Sequence, residues 1–192
     1  MTSPLKIILL THEREVDRPS NTGAIALEYY PEYCQRIIWS RVAPDPQVVD
    51  LLNQGQGALL FPDDQETMQL DLNVGKQFES LNHQPRGGVI EGDEMSQFNV
   101  PNVVVILDAT WQEARKMCRR SDYLKQAMKY TLPETLIAKQ RSQFRLRRNQ
   151  VEGGFCTIEC IQFLFHLKGM HTEAAVLESA FKNFNQNDGK IT

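Results

Sequence analysis

The stretch VVVILDATWQEARKMCRR, residues 103–120, decides the fold class of this chain. Its first five residues, Val103 to Leu107, are apolar and mostly β-branched, which is typical of a strand buried on both faces. Thr110 stands three residues before Glu113, the spacing of a capping box, so a polar and cationic helix over 111–120 is expected to follow. A buried strand that turns directly into a helix is typical of parallel sheets covered by helices. The pattern therefore predicts an α/β fold.

Two more short apolar runs, Leu5 to Leu10 and Ala58 to Phe61, resemble this strand in length and composition. Each run ends in polar residues, since Thr11 to Glu13 follow the first run and Pro62 to Asp64 follow the second. The carboxyl ends of parallel strands meet at one edge of a sheet. We therefore expect these residues and 108–110 to form a common ligand-binding edge.

Three further segments have the apolar pattern of helices: Asp45 to Gln54, Thr157 to Lys168 and Ala174 to Phe184. The second segment is apolar almost all round and is closed by Gly169, so we expect it in the core. The sequence contains neither an internal repeat nor a linker rich in Gly, Pro or Ser. We predict a single domain over residues 1–192, with a mainly parallel sheet flanked by helices and a frayed tail over 185–192.

The charges are distributed unevenly along the chain. The formal net charge is −3, yet residues 112–148 carry eleven Lys and Arg against three acids, a net charge of +8. If 139–148 formed a strand, its alternation would separate Phe144, Leu146 and Arg148 from Arg145 and Arg147. Such a strand could present cations to phosphates, whereas a run of charges is often only a solvated face.

Several common site classes lack their sequence signatures. The 192 residues contain no Walker loop, no Gly-x-Gly-x-x-Gly turn and no Gly-x-Ser-x-Gly elbow. Cys156 and Cys160 lie one helical turn apart, but core thiols explain them better than a ligand pair, and we expect no metal. Among the histidines only His12, at a strand end, is a candidate for chemistry. No apolar run approaches the roughly 20 residues that span a bilayer, so we expect no membrane association and a cytoplasmic protein with free thiols.

Asp108 is the strongest candidate for a functional carboxylate. A carboxylate at the end of a buried strand is costly unless it is hydrogen-bonded or used in chemistry. It could also serve only to accept hydrogen bonds from the first turn of the following helix. Trp111 has two similar interpretations, because its ring could pack in the core or offer a face for stacking an adenine or uracil. The residues alone leave both pairs of alternatives open.

The combination of motifs resembles the DTW-domain family. Asp108-Ala109-Thr110-Trp111 matches the Asp-x-Thr-Trp motif that names the family. Further matching blocks follow the family's order: His12 to Arg14 with Arg18 to Gly23, Leu60 to Pro62, Gln112 to Met117, Phe144 to Arg147, and Phe155 to Glu159. The resemblance covers about residues 5–168. Two features depart from it, because the cysteine cluster with which many members begin is absent and Cys156 replaces a common serine.

The resemblance implies a transferase that uses S-adenosyl-L-methionine (SAM) as co-substrate. The enzyme would move the 3-amino-3-carboxypropyl group to N3 of a uridine in tRNA. The implied fold is similar to the knotted SPOUT methyltransferases and to the rRNA aminocarboxypropyltransferase that shares that fold, so we expect a SPOUT-like, knotted chain. Asp108 becomes the candidate base for the uracil N3 proton, or a group that stabilises the sulfonium or orients the ligand.

The resemblance also implies binding residues by their position in the motifs. The residues expected to bind SAM are Leu107, Thr110, Trp111, Pro62, Cys156 and Thr157. The residues expected to bind the substrate are Ser20, Asn21, Thr22, Gly23, Arg115, Arg145 and Arg147. The two last arginines would meet tRNA phosphates or the SAM carboxylate.

Two other functions stay open on the sequence alone. One is RNA methylation with SAM. The other is a noncatalytic RNA-binding module, in which the +8 segment binds RNA and Asp108 only closes a turn. The modified uridine and the oligomeric state are not determined by the sequence.

Overall fold

The computed structural model describes residues 5–61, 99–137, 140–146, 154–187 and 189–191. The strands are β1 (Lys6–Thr11), β2 (Cys34–Ile38), β3 (Ala58–Leu60), β4 (Val103–Asp108) and β5 (Lys129–Tyr130). The helices are α1 (Gly23–Tyr29), α2 (Pro46–Asn53), α3 (Trp111–Arg120), α4 (Asp122–Gln126), α5 (Glu134–Ile137), α6 (Thr157–Leu167) and α7 (His171–Gln186), and a 3-10 turn spans Glu13–Glu15.

The described strands form one parallel sheet in the order β2-β1-β4-β3-β5. The pairing of β1 with β4 aligns Thr11 with Asp108, so the carboxyl ends of these two strands stop side by side. The predicted α/β class and parallel sheet are confirmed. The expectation that the strands end at a common edge is confirmed for β1 and β4, while Pro62 to Asp64 lie outside the described residues.

Helices cover both faces of the sheet. Alternate side chains of β1 enter opposite cores, with Ile7 and Leu9 on one side and Ile8 and Leu10 on the other. Helices α1, α6 and α7 pack in the first core, and α2, α3 and α4 pack in the second. Because β4 is buried on both faces, its apolar run is continuous rather than alternating. Asp108 shares the face of Val104 and Ile106, which is the face covered by α1 and α6.

The predicted core helix is confirmed in α6. Ile158, Ile161 and Leu164 are fully buried, and the amide of Gly169 donates to the carbonyl of His166 where the helix ends. Gly169 has φ of 75°, the left-handed conformation that favours glycine after a helix. Among the residues that the structure describes, no helix combines the length and the apolar character needed to cross a membrane.

Helix α7 is longer than predicted, because it begins at His171 rather than Ala174 and ends at Gln186 rather than Phe184. Its buried residues run from Ala174 to Phe184, which is the span that the apolar pattern indicated. The added turns are polar and partly exposed, so apolar periodicity gives no sign of them. Beyond the helix, the amide of Gly189 donates to the carbonyl of Phe184 at 3.0 Å.

The described residues 140–146 have no regular secondary structure, so the strand considered for 139–148 does not form there. Side chains from α6 and α7 bind this backbone in place of a neighbouring strand. The amide of Gln143 donates to the Glu159 carboxylate at 2.7 Å, and the carbonyl of Gln143 accepts from the Asn185 amide at 3.3 Å. Phe144 is nevertheless buried and Arg145 exposed, as the alternation predicted, whereas Arg147 and Arg148 lie outside the described residues.

Two strands were not predicted. Strand β2 carries Gln35 and Arg36 between its apolar residues, and β5 is only two residues long. Neither has a sequence pattern strong enough to indicate a strand. Both are defined by parallel pairing with strands that the sequence does indicate, since β2 pairs with β1 and β5 pairs with β3.

The predicted capping box at the start of α3 is confirmed, and it gives a testable pH dependence. The Glu113 carboxylate accepts from the backbone amide of Thr110 at 3.1 Å and from its hydroxyl at 2.7 Å. Burial acts to raise the pKa of Glu113, but these hydrogen bonds and the nearby His12 and Arg18 outweigh it and lower the pKa. A carboxylate with a lowered folded pKa stabilises the fold above its unfolded pKa and loses that contribution as pH falls through the folded pKa.

We therefore expect Glu113→Gln to be less stable than the wild type near neutral pH by about 1 kcal/mol. The difference in the free energy of unfolding should shrink as pH falls below the ordinary glutamate pKa of about 4.3, because the unfolded chain binds a proton there before the folded carboxylate does. Urea unfolding at a series of pH values measures the loss of stability near neutral pH and its change with pH. The exposed Glu28→Gln variant serves as the control and should follow the wild type. A difference that stays constant down to about pH 3 would contradict the assignment.

Candidate functional site

The carboxylate of Asp108 lies at the carboxyl edge of the sheet and is 2% exposed. Its Oδ2 accepts hydrogen bonds from the Thr11 hydroxyl at 3.1 Å and from the Asn21 side-chain amide at 2.9 Å. Its Oδ1 accepts from the Thr157 hydroxyl at 2.9 Å. These neutral donors offset the cost of removing the charge from water. One buried carboxylate thus joins β1, the loop before α1 and the start of α6.

Arg36 supplies a positive charge next to this carboxylate. Its Nη2 lies 3.9 Å from Asp108 Oδ2 and donates to Asn21 Oδ1 at 3.2 Å. We refer to Asp108, Thr11, Asn21, Arg36 and Thr157 as the Asp108 cluster. Three of its members were predicted as site residues. Thr11 was expected only as part of the common ligand-binding edge. Arg36, the single charge in β2, was not predicted.

Hydrogen bonds to both polar atoms of its side-chain amide fix the orientation of Asn21. Its Oδ1 accepts from the amide of Ala24 at 2.9 Å, a side-chain hydrogen bond at the start of α1. The same oxygen accepts from Arg36, so the amide nitrogen is the atom directed at Asp108. Asn21 is therefore a structural link between α1, β2 and the central carboxylate.

The residues that follow Asn21 pack tightly against the cluster. Gly23 is buried, and a Cβ atom built on it would lie 2.9 to 3.0 Å from the carboxyl atoms of Asp108. Thr22 is also buried, and its hydroxyl oxygen accepts from the amide of Ile158 at 3.4 Å. Ser20, the fourth substrate-binding residue predicted in this loop, is half-buried. Close approach of α1 to the carboxylate is the reason that position 23 requires glycine.

A second buried carboxylate, Glu159, organises the start of α6. It accepts from the Cys156 amide at 2.8 Å, from the Ser142 hydroxyl at 2.7 Å and from the Gln143 amide at 2.7 Å. Glu159 thereby fastens residues 142–143 to the helix that carries Thr157. Sequence reasoning gave it no role, although it stands three residues after Cys156, which is capping-box spacing.

The two cysteines near Glu159 are half-buried and pack against the core. Burial, and then the Glu159 charge, raise the pKa of the Cys156 thiol well above its ordinary value. The same two causes raise the pKa of Cys160 to about 12. Thiols with raised pKa values stay protonated near neutral pH and are poor nucleophiles and metal ligands. This agrees with the interpretation of the pair as core thiols.

The remaining residues expected to bind SAM surround the strand-to-helix turn after Asp108. Leu107 is buried in the core on the other face of the sheet from Asp108, so only its backbone could reach a ligand at the edge. The Thr110 side chain is occupied by the capping box with Glu113. Trp111 is half-buried and stacks on Phe61 with ring centroids 5.9 Å apart. Pro62 lies outside the described residues.

Neither Arg115 nor Arg145 has a described contact with the Asp108 cluster. Arg115 is half-exposed on α3, whose inward residues are Ala114, Met117 and Cys118. The exposed residues Lys116, Arg119 and Arg120 lie on the same helix, so the outward side of α3 is strongly cationic. Arg145 is exposed in the segment after Gln143, and Arg147 is not among the described residues.

His12 lies next to this edge, since its amide donates to the carbonyl of Asp108 at 3.1 Å. Its ring stacks on Trp39 with centroids 5.6 Å apart. Nδ1 accepts from the amide of Arg14 at 3.3 Å, so Nε2 is the ring nitrogen left for a ligand.

Comparison with known proteins identifies the family of the chain. No solved structure gives a significant match to the chain. A family model described as DTW domain matches residues 1–187, a span that contains the whole Asp108 cluster. The motif residues of that resemblance, at 108–111, form the turn from β4 into α3. The chain therefore belongs to the DTW-domain family.

Proposed function

We propose that the protein transfers the 3-amino-3-carboxypropyl group from SAM to N3 of a uridine in tRNA. The observation that carries the proposal is the convergence of separate family motifs on one carboxylate. Asn21, Thr157 and Asp108 come from three motif blocks that are far apart in the chain, and they are in direct hydrogen-bond contact. Motifs that meet at the carboxyl edge of a parallel sheet are typical of a ligand site.

The reaction needs few protein groups. N3 of the uracil loses its proton, and its electron pair forms a bond to the methylene carbon beside the sulfonium. The bond between that carbon and sulfur breaks, and its electrons neutralise the sulfonium. The products are the modified uridine, a proton and the thioether 5′-methylthioadenosine. The protein must hold N3, the methylene and the sulfur in line, which is mainly a matter of orientation.

The surroundings of Asp108 favour an orienting role over direct proton acceptance. A general base must lie within hydrogen-bond reach of the proton that it takes. The Asp108 carboxylate is 2% exposed, and both of its oxygens already accept hydrogen bonds. Its charge would favour binding of the cationic sulfonium, and its hydrogen bonds hold the surrounding loops. We therefore propose Asp108 as a positioning residue.

The distribution of charge supports tRNA as the partner. The +8 segment includes nearly all of α3, which exposes Lys116, Arg119 and Arg120. Helix α3 begins at Trp111, three residues after Asp108. Cations spaced along a surface contact phosphates and make binding dependent on salt. We propose that α3 contacts the tRNA backbone and that the protein acts in the cytoplasm. We also propose a SPOUT-like knot, which an experimental trace of the whole chain would test.

The product of the reaction distinguishes the candidate functions. Purified protein is incubated with SAM and unmodified tRNA, the RNA is digested, and the nucleosides are identified by mass. We expect aminocarboxypropyl-uridine and an equal amount of 5′-methylthioadenosine. Methylated nucleoside with S-adenosylhomocysteine would instead support RNA methylation. Binding of tRNA that leaves both tRNA and SAM unchanged would support a noncatalytic module. Reactions without SAM are the control.

A further inference from the structure

Arg36 is a functional candidate that none of the sequence motifs includes. It lies on β2 opposite Leu9 of β1, and its side chain is 22% exposed. Its guanidinium reaches the Asp108 cluster from the edge strand of the sheet. The side chain is thus mostly buried, and part of it remains exposed to solvent.

One buried donor of Arg36 has no partner among the described residues. Its Nη2 donates to Asn21 Oδ1, and its Nε is buried without a partner among the described residues. The distance of 3.9 Å to Asp108 Oδ2 is too long for a hydrogen bond. A buried N–H donor without a partner is unfavourable, and a guanidinium presents its five donors in one planar fork. An anionic ligand at this fork would supply further acceptors to it.

We propose that Arg36 binds the carboxylate of the amino-acid part of SAM, an inference that rests on the proposed function. A carboxylate is planar and can accept two parallel hydrogen bonds from a guanidinium. The neighbouring oxygens of Asp108 and Asn21 disfavour a phosphate group, which carries only negative charge. They suit an α-amino acid, because its ammonium group lies next to its carboxylate. The mixed charge around Arg36 therefore matches a zwitterion better than an RNA backbone.

This contact gives Arg36 a role in choosing the transferred group. The carboxylate belongs to the aminocarboxypropyl chain, so holding it fixes the methylene that must face uracil N3. A pocket that bound only the adenosine would leave this chain free to rotate. Arg36 is thus a specificity-determining residue, and it fills the role that the family resemblance left to Arg145 or Arg147.

The test compares SAM with a ligand that lacks both its aminocarboxypropyl chain and its sulfonium charge. Titration calorimetry measures the affinity of the full chain for SAM and for 5′-methylthioadenosine, which lacks the aminocarboxypropyl chain. We expect Arg36→Met to weaken SAM roughly 10- to 100-fold and to leave 5′-methylthioadenosine unchanged. Arg36→Lys should retain part of the affinity. Arg41→Met, which removes the same charge from an exposed loop, should bind both ligands as the wild type does.

Three other results would contradict the proposed role of Arg36, and each has a different meaning. Equal weakening of both ligands would mean that Arg36 supports the fold or the adenosine pocket. Unchanged SAM affinity with weaker tRNA binding would make Arg36 a phosphate contact. In both cases the proposed transferase function stands. If the wild type binds neither ligand, the proposed function fails together with the inference. A partly misfolded variant is recognised because it lowers the number of sites rather than the ratio of the two affinities.

Discussion

Asp108→Ala is expected to abolish aminocarboxypropyl transfer and to lower the free energy of unfolding by about 3 kcal/mol or more. The substitution leaves the donors of Thr11, Asn21 and Thr157 without their acceptor in a buried site. It also leaves the Arg36 guanidinium without the carboxylate that lies 3.9 Å away. Urea unfolding and the nucleoside assay measure the two effects on the same preparation.

The Asp108→Asn variant distinguishes the contribution of the Asp108 charge from that of its side-chain shape. It keeps the size of the side chain but replaces one accepting oxygen by a donating amide. The threonine hydroxyls can rotate, so we expect a smaller loss of stability, about 1–2 kcal/mol, together with weaker SAM binding. Asp122→Asn is the matched control, because Asp122 is exposed and pairs with Lys125. Wild-type stability in Asp108→Ala would contradict the central role of this carboxylate.

Gly23→Ala is expected to destabilise the protein by about 1–3 kcal/mol, because the new methyl group would meet the Asp108 carboxyl at 2.9 to 3.0 Å. A loss of stability would be the opposite of the usual effect, since replacing Gly by Ala in a helix ordinarily stabilises the fold by about 0.5–1 kcal/mol. Either α1 or the Asp108 side chain must move, so we also expect transfer activity to fall. Thermal or urea unfolding and the nucleoside assay measure these changes.

A double-mutant cycle identifies the cause of this effect. In the Asp108→Ala background the carboxyl is gone, so adding Gly23→Ala should cost nothing or slightly stabilise. Ala24→Gly, one position along α1, is the control and should lower stability by about 1 kcal/mol or less without loss of activity. A Gly23→Ala variant as stable and active as the wild type would show that the close approach to Asp108 does not matter.

The sequence predicted the elements whose signals are local. The run Val103 to Leu107 indicated a buried strand, and the spacing of Thr110 and Glu113 indicated a cap, because both depend on residues that are close in the chain. It did not indicate β2, where Arg36 interrupts the apolar residues. The sequence also left open whether 139–148 forms a strand. The alternation of Phe144 and Arg145 reflects burial against helices rather than strand pairing.

The sequence likewise predicted only part of the site. The sequence by itself determined that a buried strand ends in Asp108 and that a capped helix begins at Trp111. Only the tertiary structure decided that Thr11, Asn21, Arg36 and Thr157 surround that carboxylate, since parallel pairing and helix packing bring together residues as far apart as Thr11 and Thr157. The physical reason is that caps and strands depend on neighbouring residues, whereas a buried charge is stabilised by whichever donors the packed chain delivers to it.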